Sequence, residues 1–122
     1  MNRTYIPTLI ILAIFAILHY VGGSNHWYYR FPGFDIIMHI LGGIGLAFSI
    51  YWILSTFFKS VNTSFLIIVI LTVVAGIIWE WMEYEYDIAG GILGTTAYYV
   101  DTIKDLCSDT LGAIIAFIFI KK

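Results

Sequence analysis

Four long apolar runs, set apart by short polar segments, make up most of this chain. They cover about residues 5–21, 34–58, 64–86 and 103–120. Each is close to the ~20 residues needed to cross a hydrocarbon core ~30 Å thick. In lipid, only helices and closed barrels satisfy every backbone N–H and C=O. Barrel strands are short and alternate in polarity, whereas these runs are long and continuously apolar. The pattern predicts an all-α fold: an integral membrane four-helix transmembrane bundle, a single domain over residues 1–122.

The connections differ in character. Lys59–Thr63 reads as a short polar turn, so the second and third runs should form an antiparallel hairpin. Gly22–Gly33 carries His26, Trp27, Tyr28, Tyr29, Arg30 and Pro32, a mixture suited to the membrane interface. Ile88–Val100 is rich in Gly, Thr and Tyr and reads as a re-entrant loop over a polar cavity. The first run follows Arg3 and ends in Gly22-Gly23-Ser24, as a secretory signal does. It is read as a retained first membrane helix.

Composition agrees with a membrane chain, at 61% hydrophobic and only 11% charged residues. A net charge of −2 without a basic patch excludes nucleic acid as a partner. Cys107 is the single cysteine, which excludes an internal disulfide and a thiol metal cluster. With four spans, Arg3, Lys59, Lys121 and Lys122 fall on one side, and Arg30 and Lys104 on the other. The positive-inside rule then places both termini in the cytoplasm and the chain in the cell (inner) membrane.

The acids change the picture. All eight lie at three run boundaries that face the non-cytoplasmic side: Asp35; then Glu80, Glu83, Glu85 and Asp87; then Asp101, Asp105 and Asp109. At about 100° per residue, Asp35 and His39 share one helix face. Glu80, Glu83 and Asp87 share another, and Asp101, Asp105 and Asp109 a third. Gly42-Gly43, Gly76 and Gly112 continue these stripes and allow close helix approach. Glu85 points away, toward solvent. Taken singly, Asp35, Asp101 and Asp105 are equally well read as first-turn or capping acids. Taken together, the stripes predict a polar pocket opening at one membrane face.

Ionisable groups at membrane depth are costly and tend to mark function. So many carboxyls need shared protons, cationic partners or a divalent cation. Oxygen donors with one imidazole suit Mg, Mn, Ca or Zn. The Trp79 and Trp81 pair reads as interfacial anchoring, and His19 and His26 as bystanders.

Three motifs follow one another on successive helices: FDIIMHILGG, IIWEWMEYEYD and DTIKDLCSDTLGA. Over Phe34 to Ala116 they resemble the YjdF-like family of small inner-membrane proteins, and more distantly VanZ-like proteins. VanZ-like proteins usually show Gln after the first Glu of the middle motif and Asn before the last glycine. This chain has Glu83 and Asp109 in those motifs. The resemblance implies a membrane-embedded polar site in lipid or envelope head-group chemistry. It carries over Asp35, His39, Glu80, Glu83, Asp101, Asp105 and Asp109.

The expected function is a membrane enzyme acting on a lipid-linked, phosphate-containing head group at the extracytoplasmic face. His39, Asp35 and Glu80 are the expected catalytic groups. Glu80, Glu83, Asp101, Asp105 and Asp109 are the expected ligands of a divalent cation. Arg30, Lys104 and Asp87 are expected at the substrate. Membrane lipid is the expected partner, and homo-oligomerisation stays open. Two other readings use the same groups: an ion or proton transporter or metal-binding membrane protein, and a non-catalytic lipid- or glycopeptide-binding envelope protein. A transporter needs polar residues in the cytoplasmic halves, where only Ser49, Ser55, Thr56 and Thr72 stand out. No nucleophile-elbow serine and no arginine clamp occurs.

Overall fold

The computed structural model describes residues 4–58, 63–86 and 92–121. Within them lie five helices: α1 (Tyr5–Ser24), α2 (Trp27–Arg30), α3 (Phe34–Phe57), α4 (Phe65–Glu85) and α5 (Thr96–Ile120). Three of these, α1, α3 and α4, are long and apolar enough to cross a membrane. The fourth long helix, α5, has the length, but Asp101, Lys104, Asp105 and Asp109 fall within it.

The last helix starts earlier than its hydropathy suggests. Thr95 caps it, its hydroxyl accepting from the Tyr98 N–H at 3.3 Å. The segment Thr96–Val100, expected as part of a re-entrant loop, is therefore helical. A threonine cap outweighs the lack of an apolar pattern there. Asp101 and Asp105 then lie beyond the first turn of α5, and their reading as capping or first-turn acids fails. Asp35 does sit in the first turn of α3. The Lys59–Thr63 turn is described only from Thr63, and residues 88–91 of the expected re-entrant loop lie outside the described residues. So do Arg3 and Lys122 of the orientation argument.

Helices α3 and α5 form the central pair and run parallel. Neighbours advance in step along both: Asp35 with Lys104, His39 with Asp109, Ile44 with Gly112. The backbones touch because glycine faces backbone. A methyl group on Gly43 would strike the Asp109 carbonyl, and one on Gly112 would strike Ile40 and Ile44. Small residues let membrane helices approach this closely, and van der Waals packing then holds them.

Helix α4 lies against this pair through Ile68, Thr72, Gly76 and Glu80, a straight stripe of buried residues four apart. Gly76 leaves room for the Asp109 carboxylate. Helix α1 packs on α3, with Phe15 and Leu12 against Gly42 and Gly45. Elsewhere α1 turns large aliphatic side chains outward, as a lipid-facing helix does.

The interior changes character along the axis. Near the ends carrying Phe57 and Phe65 it is apolar, built from Ala47, Phe48, Ile68, Ala113 and Ala116. Near the ends carrying Asp35 and Glu85 it is acidic. Hydroxyls between the two regions are spent on their own helices: Thr72 donates to the Ile68 carbonyl, Thr110 to Leu106, Ser108 to Lys104 and Ser49 to Gly45.

A candidate histidine–carboxylate site

The parallel pairing of α3 and α5 fixes the centre of the site. Asp35 and His39 stand one turn apart on α3, and Asp105 and Asp109 one turn apart on α5. With Gly43 and Gly112 holding the backbones together, the two ladders interleave. His39 is buried, as are Asp105 and Asp109, at 1% and 4% exposure. Asp35, Asp101 and Lys104 form the partly exposed outer edge.

Each nitrogen of His39 has a separate task. Nδ1 lies 3.2 Å from Asp109 Oδ1. In the tautomer with hydrogen on Nδ1, that N–H donates to the carboxylate oxygen. Nε2 then faces Asp35 Oδ1 at 3.6 Å and Asp105 Oδ2 at 3.8 Å. There the ring offers either a proton to these carboxylates or a lone pair to a cation they share. One donor atom from each of Asp35, His39 and Asp105 lies within 4.8 Å of the others, a spacing that suits a metal ion. Asp109 behind the ring completes the carboxylate–histidine pattern that fixes a metal-binding imidazole.

Lys104 closes the outer side. Its ammonium hydrogen-bonds to Asp101 and lies 3.7 Å from Asp105 Oδ1 and 3.8 Å from Asp35 Oδ2. Among the described residues, Asp105 Oδ1 is buried without a hydrogen-bond partner, and so is Glu80 Oε1. Buried carboxylate oxygens without a hydrogen bond are costly, and the Lys104 charge stands 3.7 Å from the one on Asp105.

The expected residues divide as follows. Asp35, His39, Asp105 and Asp109 come together, with Lys104 and Asp101 beside them. Glu80 is buried on α4, facing Thr102 and Asp101 of α5. Glu83 accepts from Trp79 Nε1 at 2.7 Å. Glu85 is exposed, as expected, and Arg30 is exposed on α2. Asp87 lies outside the described residues. The grouping that suits a metal thus holds Asp35 and His39, expected as catalytic, together with Asp105 from the expected ligand set. A cavity of about 760 Å³ lies elsewhere, bordered by Thr4, Ile11, Phe48, Tyr51 and Ile120. The polar cluster does not line it.

Sequence reasoning missed a group of aromatic side chains beside the acids. The Tyr28 hydroxyl and His19 Nδ1 are 2.8 Å apart, and the His19 ring meets Trp79 edge-on. Burial, then the charges of Asp35 and Glu83, push the Tyr28 phenol up to about 12. It stays a neutral donor beside the acids. Trp79 and Glu83 are four apart on one helix, so that pairing was visible in the spacing. The approach of Tyr28 and His19 depends on the fold of α2.

An all-helical chain, three of its helices able to cross a bilayer, with a histidine–aspartate cluster at one end, defines a helical membrane protein with a candidate cation site. The chain belongs to the family described as Predicted membrane protein (DUF2238), whose model matches residues 3–122. The YjdF-like resemblance of its motifs is to this same family. No curated protein and no solved structure matches the chain.

Proposed function

We propose that this chain is a metal-dependent membrane enzyme acting on the phosphate-containing head group of a lipid at the extracytoplasmic face. On this reading α1, α3, α4 and α5 all span the bilayer and both termini are cytoplasmic. The observation that carries the proposal is the convergence of Asp35, His39 and Asp105 within 4.8 Å, with His39 held from behind by Asp109. The donor set fits a divalent cation: two carboxylates and one oriented imidazole. When bound, such a cation polarises a phosphoryl oxygen.

The chain's own groups supply the rest. Lys104 places a positive charge at the partly exposed edge, where a head-group phosphate arrives. Glu80, buried with Oε1 lacking a hydrogen bond among the described residues, would hold a proton and return it to a leaving oxygen. Asp109 holds the His39 ring in one tautomer. The apolar cluster of Ala47, Phe48, Ile68, Ala113 and Ala116 lies below the acids, which favours a one-sided site over a transport path.

The test uses chelator-stripped protein in nanodiscs. Mn²⁺ binding and head-group release from defined phospholipids are measured together. One ion per chain and metal-dependent release, both lost in His39→Ala, are expected. Bound ion with intact lipids leaves the non-catalytic binding reading. Metal-dependent ion flux in liposomes would replace the enzyme reading with transport.

A further inference from the structure

Asp35 and Asp105 each present two oxygens to two different places. One oxygen of each, Asp35 Oδ1 and Asp105 Oδ2, faces His39 Nε2. The other, Asp35 Oδ2 and Asp105 Oδ1, faces the Lys104 ammonium at 3.8 and 3.7 Å. Asp101 Oδ1 gives that ammonium a third carboxylate oxygen. This is the layout of two cation positions joined by two bridging carboxylates. The inner position has a histidine and the outer has an aspartate. Where two metal ions act on a phosphoryl group, they lie ~3.5–4 Å apart and clamp it from both sides. Here the outer position already holds a cation, and that cation is part of the chain.

We infer that Lys104 is the tethered second cation of a two-cation site, and that its ammonium keeps a divalent ion out of the outer position. This rests on the proposed metal-dependent reading for its inner position only. Three oxygens from three carboxylates converge on the ammonium whether or not the inner position fills. Asp105 Oδ1 independently points to an outer ligand, because this oxygen is buried, belongs to a residue 1% exposed, and has no hydrogen-bond partner among the described residues. At 3.7 Å the ammonium gives it charge but no hydrogen bond, which leaves a coordination position that a smaller, divalent ion would fill. An ammonium also differs from a metal in use. It has three donors on a flexible stem and remains partly exposed. Lys104 can therefore turn from Asp101 to an arriving phosphate oxygen while staying tethered to the site.

The experiment counts Mn²⁺ ions per chain by calorimetry, and tests for Mn–Mn coupling by electron paramagnetic resonance, in wild type, Lys104→Met and Lys104→Arg. One ion in wild type and two spin-coupled ions in Lys104→Met, with Lys104→Arg still at one, are expected. One ion in both wild type and Lys104→Met overturns the second-cation inference and leaves the inner site standing. No ion in wild type but one in Lys104→Met supports the blocking role of Lys104 and overturns the metal reading. No ion in either protein overturns both. Circular dichroism of each variant shows whether it folds. If Lys104→Met does not fold, Lys104→Gln takes its place in the count.

Discussion

Gly43 is where packing and chemistry meet, and Gly43→Ala tests the link. A Cβ at Gly43 would lie 2.9 Å from both C and Cα of Asp109, and nearer still to its carbonyl oxygen. Carbon atoms settle at about 3.5–4.0 Å, so α3 and α5 must part by roughly 1 Å. The obstacle is backbone, so no side chain can rotate away. Overpacking of this kind costs about 1–3 kcal/mol. The same shift stretches the His39–Asp109 bond from 3.2 Å past the range of a hydrogen bond. A charge-assisted bond adds about 1.5–3 kcal/mol to the loss. The expected total is roughly 2.5–6 kcal/mol, with weaker Mn²⁺ binding alongside. Gly23→Ala is the control, since no described residue lies within 4 Å of its added methyl, and it should be neutral or slightly stabilising. Reversible unfolding in mixed detergent micelles gives the free energies. If Gly43→Ala matched wild type within ~0.5 kcal/mol and bound Mn²⁺ equally well, the close α3–α5 approach would be wrong.

Asp109→Asn should lower Mn²⁺ affinity by about 10–100-fold with little change in fold, read by calorimetry; unchanged affinity would remove Asp109 as the orienting group. Asp105→Asn should abolish Mn²⁺ binding at the inner position, read by calorimetry, because Asp105 Oδ2 faces His39 Nε2 there. Tyr28 should ionise near 12 rather than 10, since burial and the charges of Asp35 and Glu83 disfavour its phenolate. The stability held in that neutral phenol is present below pH ~10 and lost as pH rises toward ~12. Absorbance at the phenolate band, compared with Tyr28→Phe, should lack one late-titrating tyrosine in the variant. Trp79→Phe should release Glu83 from its 2.7 Å partner and shift the Tyr28 titration without altering Mn²⁺ stoichiometry.

The sequence by itself determined the helices and the grouping of charge. Continuous apolar runs leave a chain in lipid few choices, because each helix satisfies its own backbone. Hydropathy therefore gave α3 and α4 to within a residue at each end and α1 to within three, and helical period gave the stripes of Asp35 with His39 and of Asp105 with Asp109. It misplaced the start of α5, because a threonine cap and polar first turns carry no apolar signal. What it could not decide was which stripe faces which, since period fixes direction around one axis only. The register of α3 on α5 depends on glycine meeting backbone at Gly43 and Gly112, a contact between residues about seventy positions apart. That register alone puts Asp109 behind His39 and Asp105 in front of it. It also gives Lys104, read from sequence as one of the substrate-side residues, a place among three aspartates.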